Sequence, residues 1–210
     1  MQASVEKRRR GRPPKRMAGH SETRETLLSA GVAALTAKGF SATGIEEILR
    51  SVDVPKGSFY HYFKSKEAFG AELIDRYAMY FAAKLDRILL NEAHTPLQRM
   101  HDFVEDAVVG MQRFNYRRGC LVGNLGQEMG ALPPAYRSLL VEVFHDWQGR
   151  TAICLRAAIK AGEIDPNVDY NAAAVYFWIG WEGAVLRAKL EQSEMPLRQF
   201  TKGFFEGLLQ

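Results

Sequence analysis

The hydrophobic positions of this chain recur at intervals of three and four residues, in blocks separated by glycine, proline and short polar runs, which is the period of helices. Leu28, Val32 and Leu35 mark one face of an opening helix that Ser21 can cap and Lys38-Gly39 ends. Ile45, Ile48, Leu49 and Val52 follow a capping-box sequence, Thr43-Gly44-Ile45-Glu46, and predict a helix over 44–52. Asp53-Val54 leaves room only for a turn, and Pro55 suits the first position of a further short helix. Ser65 then caps a long helix whose apolar positions, Phe69, Leu73, Tyr77, Tyr80, Phe81, Leu85 and Ile88, carry it to about residue 90.

Pro96 opens the next helix, with Phe103, Ala107, Met111 and Phe114 on one face and a stop near Asn115. Four glycines in 117–130 predict a helix broken or bent there. Pro133-Pro134 begins a helix with Leu140, Val143, Phe144, Trp147, Cys154 and Leu155 at helical spacing, ended by Ala161-Gly162. Over 170–186 the only charge is Glu182, which predicts a helix buried on more than one side, by its own domain and by a second copy. That stretch is slightly short for a membrane span. Gly180, Gly183 and Ala184 would let a partner helix approach, so this helix and the 134–161 helix are the expected dimerisation surface. A last helix over 197–209 closes an all-α chain without strand patterns or internal repeats.

The two short helices, 44–52 and 55 onward, joined by so tight a turn, make a helix-turn-helix whose second helix enters the major groove of DNA. Phe59 and Phe63, four apart, pack that helix inward. Its other side offers Lys56, Gly57, Ser58, Tyr60, His61 and Tyr62, with Lys56, Ser58, Tyr60 and His61 expected near base edges or adjacent phosphates. Thr43, Tyr62 and Lys66 are expected on phosphates, Lys66 through its position at a helix N-terminus.

The net charge of +4 sharpens this reading because of where it sits. Residues 7–16 hold seven of the 28 Lys and Arg and no acid, so the basicity belongs to an N-terminal tail. Its Pro, Gly and charge content predict disorder off DNA over 1–19. Arg10 and Arg12, in Arg10-Gly11-Arg12-Pro13, have the form of arginines that enter a narrow minor groove. No apolar run follows them, so the tail is not a signal peptide, and a cytoplasmic protein is expected. Two cysteines give no disulfide framework, and the five histidines form no Cys/His cluster at metal-ligand spacing, so no metal or cofactor is expected. Neither a P-loop nor a dinucleotide fingerprint occurs in the glycine-rich segment.

The run Gly57-Ser58-Phe59-Tyr60-His61-Tyr62-Phe63-Lys64-Ser65-Lys66-Glu67 closely resembles the TetR family of one-component bacterial transcriptional regulators. The resemblance implies a helix-turn-helix domain over about 20–66, a helical effector-binding and dimerisation domain over 67–210, and a homodimer on operator DNA. One position departs from the family pattern: Tyr62 stands where a phosphate-contacting histidine is common, and a phenol can make the same contact.

In the second domain Cys120 follows Arg117 and Arg118 at an expected helix start, where cations and backbone N–H groups lower a thiol's pKa. Glu182 needs a partner or has a raised pKa, and Lys189 lies seven residues on, along the same face. Each has a plainer reading: Cys120 alone would favour core packing, Glu182 could pair with an arginine across the dimer, and Lys189 could be solvated. Arg118-Gly119-Cys120-Leu121 together with the run from Trp181 to Lys189 resembles a TetR subgroup that senses reactive electrophiles and oxidants, including acrylate-responsive repressors. In that subgroup the residues matching Cys120 and Lys189 are implicated in sensing. The expectation is a repressor released by a small electrophile or carboxylate such as acrylate, near Cys120, Asn124, Trp181, Glu182 and Lys189, with or without a bond to the thiol. The alternatives are an oxidant- or aldehyde-sensing repressor of detoxification genes, a cysteine enzyme, and a DNA-compacting protein that ignores sequence.

Overall fold

The computed structural model describes residues 17–208, with side chains placed from Glu22 to Gly207, and every element in that range is helical. In chain order these are α1 (Met17–Lys38), α2 (Ile45–Ser51), α3 (Lys56–Tyr62), α4 (Lys66–Leu89), α5 (Pro96–Gln112), α6 (Leu121–Gln127), α7 (Tyr136–Lys160), α8 (Tyr170–Glu191) and α9 (Met195–Gly203), the last running into a π-helical turn, Phe204–Leu208. The basic arm with Arg10 and Arg12 lies outside the described residues.

Most boundaries follow from local chemistry. The Ser65 side chain accepts from the Ala68 N–H at 3.1 Å and starts α4. Thr95 is the N-cap of α5, with Pro96 in the first turn. Asp169 caps α8 by accepting from the Asn171 and Ala172 N–H groups. Gly39 ends α1 at a φ of +79°, a conformation open to glycine without strain. Asn115 and Tyr116, also at positive φ, turn the chain after α5, so the glycine-rich stretch folds as the short helix α6 flanked by turns.

Three starts differ from the sequence expectation. The backbone is already helical at Met17, so Ser21 lies within α1; Met, Ala, Gly and His present no breaker strong enough to stop it. Thr43 does not cap α2: Gly44 is the N-cap, and the Thr43 hydroxyl donates backwards to the Gly39 carbonyl at 2.6 Å. Helix α7 starts at Tyr136, because Pro134 holds Pro133 out of the α region and the two prolines form a turn instead.

Helices α1, α2 and α3 close around Phe59, Phe63 and Phe69, whose rings meet at 4.6–5.3 Å, with Leu27, Leu28 and Leu35 beneath. The inward role of Phe59 and Phe63 is as the four-residue spacing predicts. Helix α4 carries Phe69, Leu73 and Ile74 into this cluster, then Leu85, Ile88 and Leu89 into a second one. The second core centres on an aromatic stack of Phe81, Trp147 and Trp178, with centroids 4.4–6.0 Å apart, joined by Phe103, Phe177 and Trp181. The Trp178 indole N–H donates to the Thr151 hydroxyl at 3.0 Å, so its burial leaves no unsatisfied donor there.

Gly31 sits where α1 crosses α4. A Cβ added there would fall 2.6 Å from the Phe69 ring and 2.8 Å from a Leu73 methyl. Gly31→Val should therefore destabilise the N-terminal cluster by about 1–3 kcal/mol through overpacking, measured as a lower urea midpoint. An unchanged midpoint would show that the two helices can part without cost.

Candidate functional site

The DNA-facing side of α3 is set by the inward pair Phe59 and Phe63. Lys56, Gly57, Tyr60 and His61 are exposed, Tyr60 with 60% of its surface, and Ser58 and Tyr62 are half-buried, Tyr62 packed against the core. The Lys56 ammonium pairs with Glu46 of α2 at 2.5 Å, which ties the two short helices across their turn. Two sequence candidates are placed differently. Thr43 is 1% exposed and its hydroxyl is spent on Gly39, so it is not on the surface α3 presents. The Lys66 ammonium turns inward, donating to the Phe40 carbonyl at 3.0 Å and lying 4.4 Å from the Phe40 ring centre. Its backbone N–H at the start of α4 keeps the position suited to a phosphate.

The second site is a cavity of about 210 Å³ between α1, α4, α5, α8 and the start of α6. Phe81, Phe114, Met111, Val185 and Trp181 make its apolar wall, and the buried Tyr77 and Cys120 with the half-buried Glu182 its polar floor. Lys84 and Arg118 supply cations. Lys84 is paired with Asp106, whereas Arg118 is half-buried with its guanidinium 4.1 Å from the Phe114 ring centre and no carboxylate partner among the described residues. A 150 Å³ apolar cavity is enough for benzene, so this one admits a small organic molecule.

Cys120 is the N-cap of α6, its sulfur accepting from the Gly123 N–H at 3.4 Å. The helix-start position agrees with the sequence reading, but the thiol's pKa moves the other way. Burial pushes it well above the ordinary thiol range, and the neighbouring Glu182 charge pushes it further. Arg117 points to solvent and Arg118 lies on Phe114, so neither cation counters this. Glu182 is itself pushed up to about 7 by desolvation, with the neighbouring Cys120 thiol pulling the other way. Its Oε1 is shielded from solvent and has no hydrogen-bond partner. Room for this carboxylate exists because residue 123 is glycine: a Cβ there would lie 2.0 Å from Glu182 Oε2.

Lys189 lines a narrow crevice with Cys120, Gly123, Asn124 and Glu182, and desolvation lowers its pKa. The seven-residue spacing on α8 therefore does bring Glu182 and Lys189 to one seam. The Asn124 amide also donates to the Leu35 and Thr36 carbonyls at 2.9 and 3.0 Å, at the end of α1. The Gly119 N–H donates to the same Thr36 carbonyl at 2.9 Å. At the other end of α6 the Glu128 carboxylate accepts from the Phe40 and Ser41 N–H groups at 3.0 and 2.7 Å. The element that begins at the thiol thus holds the end of α1 and the turn into α2.

Sequence reasoning missed Tyr77 and Glu128 as members of this arrangement, and took Arg118 only as a cation beside the thiol. Tyr77 reads as one more apolar position of α4, and Glu128 carries no local signal because its partners are 87 and 88 residues away. The small residues of α8 also separate: Gly180 is filled by the Phe200 ring of α9 and Ala184 is buried, leaving Gly183 open. What α8 does expose is a stripe of Val175, Tyr176, Ile179 and Leu190, beside Val141 and Ile153 of α7. No helix among the described residues is long and apolar enough to cross a membrane.

Residues 27–73 match the family model for bacterial regulatory proteins of the tetR family, and residues 96–204 match the tetracyclin repressor-like C-terminal domain. The transcriptional regulator AcuR of Cereibacter sphaeroides is 50% identical over 199 residues, covering 95% of this chain and 90% of that protein. The HTH-type transcriptional repressor NemR of Escherichia coli K12 is 31% identical over 182 residues, covering 84% and 88%. Among solved structures, a regulatory protein TetR from Rhodobacter sphaeroides superimposes with a TM-score of 0.85 at 51% identity, over 87% of this chain and 96% of that one. The chain belongs to the TetR family and is a helix-turn-helix transcriptional regulator.

Proposed function

We propose that the protein is a homodimeric repressor that binds a palindromic operator and is released by a small α,β-unsaturated carboxylate, acrylate in the first instance. Residues 20–66 form the DNA-reading head and 67–210 the effector and dimer domain, with the basic arm that precedes α1 in the minor groove. Lys56, Gly57, Ser58, Tyr60 and His61 read the major groove, with Tyr62 and the Lys66 backbone N–H on phosphates. Two heads held about 34–36 Å apart match half-sites one helical turn apart.

The observation that carries the effector reading is the cavity that joins a buried thiol to a half-buried arginine without a carboxylate partner among the described residues. A three-carbon acid bound with its carboxylate toward Arg118 directs its vinyl carbon toward Cys120, and longer chains fill the aromatic wall. Any shift of the α6 start is passed to the head through Gly119, Asn124 and Glu128. A preference of a few kcal/mol for the non-binding arrangement is enough to clear the operator.

Mobility shift of the protein on its own upstream region, with and without acrylate, tests this for wild type and Cys120→Ser. Release of wild type alone is the expected result. Equal release of both would leave a repressor with a noncovalent pocket, and release of neither would remove acrylate as the effector.

A further inference from the structure

We infer that Glu182 is the proton carrier for addition of Cys120 to an activated alkene, taking the thiol proton and returning it to the carbon skeleton. The inference rests on the covalent effector reading above and adds a chemical role for a residue that a binding pocket alone does not require.

The geometry leaves few other routes. Cys120 is buried and the charges around it do not favour a free thiolate, so the proton must leave as the S–C bond forms. The groups that act on the sulfur are Glu182, Tyr77 and the Gly123 N–H. Tyr77 has its own pKa raised well above the phenol range and stays a donor, so it can steady the sulfur's developing charge but cannot take its proton. Glu182 lies against the thiol, and its buried Oε1 without a partner is a free acceptor on the same cavity. The wider charged and titratable surroundings of Glu182 are Lys84, Tyr77 and Tyr80 of α4, Arg118 ahead of α6, His145 of α7 and Lys189 of α8.

The step balances within the site. The S–H bond breaks to Glu182 while sulfur bonds to the β-carbon, and the π pair moves to the α-carbon. Glu182 then gives its proton to the α-carbon, ending as the carboxylate it began as. The product is a thioether with an intact terminal carboxylate near Arg118, and no oxidant or other reactant is consumed.

The test is the rate of acrylate adduct formation on the full-length protein by intact mass spectrometry, from about pH 5.5 to about pH 8.5. Wild type should speed up through about pH 7, where Glu182 becomes a base, and then level off. Glu182→Gln should be slower by about 100-fold at neutral pH, with a residual rate that climbs steadily as the thiol ionises. A purely electrostatic Glu182 predicts the reverse sign, because removing its charge frees the thiolate; Glu182→Gln reacting as fast as wild type or faster therefore overturns the inference. Adducts on neither protein overturn the covalent reading and the relay together, whereas equal adducts on both overturn the relay alone. If Glu182→Gln melts below the assay temperature, the wild-type profile decides: a levelling near pH 7 supports the relay and an unbroken thiol-like climb overturns it.

Discussion

Glu128→Ala should lower the stability of the DNA-reading head and leave acrylate unable to clear the operator in full, even where Cys120 still forms its adduct. The carboxylate is the acceptor for two backbone donors of the α1–α2 turn, Phe40 and Ser41, at 3.0 and 2.7 Å. Charge-assisted bonds of this kind contribute about 1.5–3 kcal/mol each when shielded, but Glu128 is half-exposed and Ser41 exposed, so about 2 kcal/mol in total is the expected loss. Geometry adds to the chemistry. Gly39 stands at positive φ with the carboxylate where its side chain would be, 1.7 Å from an added Cβ, so no other residue permits this approach. With Glu128 removed, α6 keeps its grip on α1 through Gly119 and Asn124 but loses the turn that leads into the helix-turn-helix. Urea unfolding followed in parallel with operator release measures both consequences. Full induction at wild-type acrylate concentration in Glu128→Ala would show that the signal travels another way, along α4 for instance, where the Tyr136 hydroxyl holds the Glu67 carbonyl at 2.7 Å.

That residue also shows where sequence reading stops. Helix α4 was legible because everything that starts and steers it is local: a serine cap, then apolar positions at helical spacing. The same held for the inward pair Phe59 and Phe63, and for the thiol's place at a helix start. Thr43 failed for a related reason. Its capping-box sequence competes with a hydroxyl donation to Gly39 that only the folded turn makes available. Cys120 shows the limit most clearly, since its sequence neighbours Arg117 and Arg118 argue for a low pKa while its spatial neighbours Glu182 and Tyr77, 62 and 43 residues away, produce a high one. Gly180 was read as a contact for another subunit and instead admits Phe200 of its own chain. For Glu128, Cys120 and Gly180 the deciding partner is distant in sequence, and periodicity carries no record of which helix lies opposite which.

Ile179→Arg should convert the proposed dimer to a monomer and cut operator affinity by about 100-fold or more. Ile179 is 68% exposed at the middle of the α8 stripe, with Tyr176 and Val175 one turn before it and Leu190 further along. Val141 and Ile153 extend the patch onto α7. So many contiguous exposed apolar side chains mark an interaction surface. Two helices per subunit meeting the same two of a second copy give a self-complementary interface with two-fold symmetry. An arginine at its centre must be desolvated, and in a symmetric pair it also meets its own copy, so the cost is counted twice per dimer. The loss of DNA binding follows by linkage. A dimer presents its second head at high effective concentration once the first is bound, while a monomer binds a single half-site. Met79→Arg supplies the control, because Met79 is equally exposed but lies on α4, away from this stripe, and should stay dimeric with unchanged affinity. Sedimentation velocity and operator titration on the same samples separate the two effects. Ile179→Arg sedimenting as a dimer would place the subunit contact elsewhere, and a monomer that kept full operator affinity would show that one head suffices.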